Sequence, residues 1–146
     1  MSNQAVVRAF LKGMEQPISR IPEHLRKSMT DDAVWGNSGF PPCVGIDDIM
    51  SKHEMSAKVF GDYVLTADIL HIAESPDGVV FTERIDVGRT QAGEEILTVP
   101  VVGVFEVRDG KIARWTDYFD PRGLLEGLSV LPDVEAFFTG KAPSTS

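Results

Sequence analysis

Apolar residues recur at three- and four-residue spacing in the first sixty or so positions and at two-residue spacing from Tyr63 onward, so the chain reads as helices followed by strands. Val6, Val7, Phe10, Leu11 and Met14 form one stripe of an amphipathic first helix. A short second helix is expected from about Pro22 to Ser28, followed by a brief apolar strand, Ala33-Val34-Trp35. The stretch from Gly36 to Gly45, with Pro41, Pro42 and three glycines, reads as a loop. Ile46, Ile49, Met50, His53 and Ala57 share one face of a third helix, with Asp47 and Asp48 in its first turn, where the helix dipole favours negative charge.

The second part predicts four long strands, at about 63 to 73, 79 to 90, 95 to 108 and 111 to 119. Asp77-Gly78 and Asp109-Gly110 are tight-turn dipeptides and Ala92-Gly93 marks the hairpin between them, which makes an antiparallel meander. Leu124, Leu125, Leu128 and Leu131 suggest a short terminal helix, and Thr139 to Ser146 a mobile polar tail. Helices first and a meander after imply an α+β layer structure. The expectation is a curved antiparallel sheet covered by the N-terminal helices into a cone, with one domain over 1–138. Such a cone is a default ligand cavity.

Composition narrows the partners. With 42% hydrophobic and 25% charged residues, the 146-residue chain has enough apolar material for one core. A formal charge of -8 opposes binding to nucleic acid or anionic membranes, which depends on clustered Lys and Arg. Cys43 is the only cysteine, so no intrachain disulfide forms. No signal-peptide pattern or membrane-length apolar run is evident, and a cytoplasmic location is expected.

Side chains two apart in a strand share a face, so Arg84 and Asp86 lie together and can pair. The opposite register carries Val79, Phe81, Ile85 and Val87, interrupted only by Glu83. Arg84 and Asp86 are therefore either a functional pair or simply the wet face of a half-buried strand. On the last strand Ala113, Trp115, Asp117 and Phe119 share a face that is mostly apolar, which makes Asp117 a buried carboxylate. Burial without a cation raises an aspartate's pKa toward neutrality, and Arg84 two strands away is an available cation. Asp117 is otherwise a structural aspartate at a strand end. Asn37, beside Gly36, is either a turn former or an amide aimed into the cavity mouth. His24, His53 and His71 have no metal-ligand spacing, so no metal is expected; His53 reads as a satisfied core residue and Cys43 as inert.

Thr82-Glu83-Arg84-Ile85-Asp86-Val87, then Gly103-Val104-Phe105, then Trp115-Thr116-Asp117-Tyr118-Phe119-Asp120, resemble the limonene-1,2-epoxide hydrolase family. Asn37 ahead of a proline-containing loop, His71-Ile72 and Asp109-Gly110-Lys111-Ile112 agree in order, and the resemblance spans roughly residues 30 to 127. It implies a cone-shaped domain of the nuclear-transport-factor-two type that pairs into a homodimer through its sheet. It also implies Asp117 as the base that activates water, Asp86 as the acid that protonates an epoxide oxygen, Arg84 as the bridge between them, and Asn37 as a holder of the water. Where the family uses a tyrosine for that water, this chain has Trp35. An indole nitrogen only donates a hydrogen bond, whereas a phenol also accepts.

The expected activity is thus cofactor-free addition of water to a small hydrophobic epoxide, with Trp35, Phe40, Trp115 and Phe119 as substrate contacts. The same fold hosts ketosteroid isomerases, polyketide cyclases, dehydratase-like enzymes and non-catalytic ligand-binding domains, so fold alone does not choose among them.

Overall fold

The Ser2 hydroxyl accepts a hydrogen bond from the Ala5 backbone N–H at 3.1 Å and so caps the start of helix α1 (Asn3–Gly13). Val6, Val7, Phe10 and Leu11 are its buried stripe, as their spacing requires. A 3-10 turn (Ile18–Arg20) leads into α2 (Ile21–Ser28), where Pro22 occupies the first turn and its missing N–H leaves no bond unmade. Helix α3 (Ile46–Phe60) is bracketed by Gly45 and Gly61, with φ of 91° and 82°, conformations that glycine adopts without steric cost.

The computed structural model describes residues 1–122. The helix expected around Leu124 to Leu131, the tail from Thr139 and the domain end at 138 fall outside those residues.

Six strands form one sheet in the order β2-β1-β6-β5-β4-β3: β1 (Met29–Asn37), β2 (Cys43–Val44), β3 (Val64–Glu74), β4 (Val80–Arg89), β5 (Glu95–Arg108) and β6 (Lys111–Tyr118). Strands β3 to β6 are the expected antiparallel meander, within a residue or so of the expected boundaries. Asp109 and Gly110 both have positive φ, which matches the twist of a tight hairpin. The sheet extends further than the sequence pattern suggests. β1 is nine residues long and pairs in parallel with β6, and β2 lies within the expected loop, antiparallel to β1. Asp31 and Asp32, exposed in mid-strand, hide that length from a hydrophobicity pattern.

Two register shifts re-aim side chains. Ile69 faces Arg84 and His71 faces Glu83, which leaves Leu70 as an extra, exposed residue in a bulge. Val107 faces Ile112 and Glu106 faces Arg114, so Ile112 takes the buried place that simple alternation gives to Ala113. The helices pack on one face of the sheet, where Val7, Phe10, Leu25, Ile49, Val80, Phe105, Ile112 and Trp115 meet in one core. On the other face Phe81, Val102 and Tyr118 are 41%, 45% and 50% exposed. The curved, unclosed sheet and helices α1 and α3 enclose a cavity of about 260 Å³. Among the described residues no helix is long and apolar enough to cross a membrane.

Candidate active site

Burial alternates along β4, and it decides which face looks at the cavity. Val80, Thr82 and Arg84 are buried and Asp86 is half-buried, whereas Phe81 and Glu83 are exposed. Arg84 and Asp86 are therefore not the wet face of the strand; the polar face points inward and the apolar Phe81 points out. A guanidinium is tolerated inside because each of its three nitrogens finds an acceptor.

Arg84 is 1% exposed. Its Nε donates to Asp86 Oδ1 at 3.0 Å and its Nη2 to Asp86 Oδ2 at 2.8 Å, a bidentate pair. Nη2 also donates to Asp117 Oδ2 at 3.1 Å, and Nη1 to the Thr82 hydroxyl at 3.1 Å. One arginine thus ties two carboxylates together across three strands. Burial works against its charge, but Asp86 and Asp117 outweigh that and hold it protonated above the ordinary arginine range.

The bridge passes over β5 at Gly103, which pairs with Thr82 on one side and Asp117 on the other. A Cβ at Gly103 would stand 2.3 Å from Arg84 Nη1 and 2.9 Å from both Asp117 Oδ1 and a Phe105 ring carbon. Only glycine leaves room for the guanidinium. Gly103→Ala is expected to destabilise the protein by roughly 1–3 kcal/mol, the usual range for overpacking a filled interior. Thermal unfolding checks this; an unchanged midpoint would mean that the guanidinium has room to spare.

Asp117 is 6% exposed. Burial pushes its pKa up, the charge and hydrogen bond of Arg84 pull it back, and the neighbouring Asp86 charge pushes it up again; the balance is upward. Its Oδ2 is used by Arg84, but Oδ1 is a buried acceptor with no partner among the described residues. The Trp115 indole N–H favours the charged form of this carboxylate, although it closes no hydrogen bond of normal geometry. Trp35 and Trp115, opposite one another in the β1–β6 register with ring centroids 5.4 Å apart, both present unpartnered indole N–H groups. Two donors and one acceptor without partners of normal geometry all belong to residues lining one cavity, and buried polar groups of this kind call for a partner.

Asn37 sits opposite Asp117 in the same register, and the backbone N–H of Ser38 holds the Asp117 carbonyl at 3.1 Å. Arg84, Asp86, Asp117, Asn37, Trp35, Trp115 and Phe119 all line the cavity. Phe40 does not; its backbone N–H bonds Asn37 O at 3.1 Å in the turn after β1. Tyr118 and Asp120 point outward, as alternation requires, and Cys43 is buried with its thiol pushed by burial up to about 11, which keeps it protonated. Among the described residues no cluster of three His, Cys, Asp or Glu is arranged to hold a metal.

His53 is buried, lies against Trp35 with ring centroids 4.5 Å apart and tilted by 35°, and donates from Nδ1 to Ile49 O at 2.9 Å, but it also lines the cavity. Burial lowers its pKa to about 4, against the opposing pull of the Ile49 carbonyl. The unfolded chain binds a proton there below about pH 6.5, the folded protein only near pH 4. Stability is therefore expected to fall as pH drops through that window, by on the order of 3 kcal/mol. The raised pKa of Asp117 acts in the opposite sense, so the comparison that isolates His53 is wild type against His53→Gln in denaturant melts. The variant should show the shallower acid slope; equal slopes would contradict a neutral buried imidazole.

Sequence reading carried Gly103 only as part of a family motif, without its packing role, and gave Ser56 and Tyr63 no part in the site. A glycine inside a strand signals close approach and was available as a clue. Ser56 and Tyr63, seven residues apart, meet across the turn at Gly61 that ends α3, which hydrophobic periodicity does not show.

The fold and the site define a class: a nuclear-transport-factor-two-like α+β domain whose cavity holds an arginine between two aspartates. The sequence pattern of the limonene-1,2-epoxide hydrolase catalytic domain matches residues 1–129, and the chain belongs to that family. A segment of 73 residues is 40% identical to the epoxide hydrolase EphG of Mycobacterium tuberculosis, covering 46% of this chain and about half (48%) of that protein. In three dimensions the chain is similar to an LEH-like epoxide hydrolase from M. tuberculosis, with a TM-score of 0.63, 29% identity and coverage of 86% and 88% of the two chains. It is also similar to a candidate polyketide cyclase from Xanthomonas campestris pv. campestris, with a TM-score of 0.68, 18% identity and coverage of 86% and 96%. The last likeness shows the fold alone.

Proposed function

We propose that the protein hydrolyses a hydrophobic epoxide to a vicinal diol by one-step addition of water, without a cofactor. The observation that carries this is the unpartnered Oδ1 of Asp117, a buried acceptor on a residue paired with Asn37 and lining the same cavity as Arg84, Asp86 and the two indoles. A water donating to that oxygen satisfies it and favours ionised Asp117, offsetting the burial that raises its pKa. In this reading Asp86 serves as the acid toward the epoxide oxygen and Asp117 as the base toward the water. Water oxygen bonds to an epoxide carbon as one of its protons passes to Asp117; the C–O bond breaks as Asp86 delivers its proton to the departing oxygen. Arg84 stays charged throughout and stabilises whichever aspartate is ionised. Asn37 and the Trp35 indole orient the water, with the indole donating only. Trp115 and Phe119 supply apolar wall.

An isomerase or cyclase of the same fold has no need of an arginine shared by two carboxylates, which favours hydrolysis. The outer face of Phe81, Val102 and Tyr118 is proposed to bury itself against a second copy of the chain. Terpene, cycloalkene and aryl epoxides incubated with pure protein, followed by chiral chromatography, test the reaction. Diol from at least one of them is expected; no diol from any would end the hydrolase assignment and leave proton transfer or ligand binding.

A further inference from the structure

The cavity has a second polar spot, away from the arginine. Ser56 on α3 and Tyr63, just before β3, both line the cavity, and their hydroxyls bond each other at 3.0 Å. A helical serine commonly turns its hydroxyl back to the carbonyl four residues earlier. Here Ser56, 5% exposed, reaches across to the tyrosine instead. Two hydroxyls carry two protons, and their mutual bond uses one. Neither hydroxyl has another partner among the described residues, so one O–H remains to be donated. Burial raises the Tyr63 pKa, which keeps the phenol a donor at neutral pH.

The spot is well separated from the carboxylates. Asp86 faces Ala67 in the β3–β4 register, and Tyr63 lies four residues further back along the chain. At the rise of a strand that is on the order of 13 Å between backbones. Leu65, Leu97, Val99 and Phe60 add apolar wall to the same cavity. The cavity, about 260 Å³, lies just under the roughly 300–1,000 Å³ of drug-sized sites. A ligand that fills it therefore spans both polar ends.

We infer that the Ser56–Tyr63 hydroxyl pair recognises an oxygen acceptor on the substrate, a hydroxyl, ether or carbonyl separated from the reactive end by an apolar chain or ring. The preferred substrate is then an oxygenated hydrophobic epoxide and not a plain hydrocarbon epoxide. The epoxide at the other end rests on the hydrolase function proposed above; the distal oxygen does not.

Two matched pairs of compounds separate the two claims. Turnover compares terminal epoxyoctane with the same epoxide bearing a hydroxyl on its far terminal carbon. Binding compares the corresponding unreactive alkenes, with and without that hydroxyl, through tryptophan fluorescence; the chain has two tryptophans and both line the cavity. In wild type the hydroxylated member is expected to be favoured at least tenfold in both kcat/KM and affinity. Tyr63→Phe and Ser56→Ala should collapse that ratio toward one, chiefly through KM, and Ser56→Thr, which keeps the hydroxyl, should restore it. A merely structural pair would lower both members equally and leave the ratio intact. A tenfold binding preference without any diol would sustain the distal site and overturn the hydrolase. Diol formation with no preference in wild type, or a preference that survives both variants, would overturn the distal site alone.

Discussion

Asp117→Asn is expected to lower kcat by at least about 10² while the protein stays folded, because the amide keeps the shape of the carboxylate and cannot take a proton from water. Stability should hold or improve. Burial disfavours the charge on Asp117, so its removal relieves a cost, and Arg84 retains its bidentate pair with Asp86. Asp86→Asn should fall by a similar factor, since the departing oxygen then leaves unprotonated. Turnover and thermal unfolding on the same preparations check both. A wild-type rate in either variant would remove that aspartate from the chemistry, and a large loss of stability in Asp117→Asn would make it a structural aspartate.

Arg84→Ala is expected to cost on the order of 3–5 kcal/mol in stability as well as the activity, the range for breaking a buried pair by removing one partner. Two carboxylates would be left together, one of them buried, with no cation between them. Asp117 would lose the cation that pulls its pKa back down, and its burial would favour the neutral form, which makes it a poorer base. Arg84→Lys should rescue little of either quantity, because an ammonium presents one point of charge where the site uses a planar fork on four oxygens of three residues. Urea unfolding and turnover measure the two effects separately. A stable and active Arg84→Ala would leave the bridge without a purpose.

Local pattern made most of the fold legible. The change of period near Tyr63 separates helices from strands, and Asp77-Gly78 and Asp109-Gly110 mark where the strands turn, because the backbone of a tight hairpin demands such residues. β1 was harder to see: two exposed aspartates break its apolar run, and its partner is β6, some eighty residues away. The inward face of β4 was ambiguous for a related reason. Both of its registers hold apolar residues, and what makes the Arg84 side the inner one is Asp117 two strands over and the absence of a side chain at Gly103 between them. Asp117 itself was readable, since Trp115 and Phe119 flank it on one face. The resemblance to a family named the members of the cluster, and the structure brings Arg84, Asp86, Asp117 and Asn37 to one cavity; it leaves Phe40 outside the lining.

Direct addition of water and a covalent ester route use the same residues and give the same diol, so oxygen labelling in a single turnover is the decisive measurement. With enzyme in excess over an epoxide that the protein hydrolyses, in heavy-oxygen water, Asp117 acting as a base delivers solvent oxygen at once. Fully labelled diol in the first turnover is expected, with no gain of mass in the peptide that contains Asp117. Unlabelled first-turnover diol, or heavy oxygen in an aspartate, would show that a carboxylate attacks the epoxide and would contradict the general acid–base mechanism.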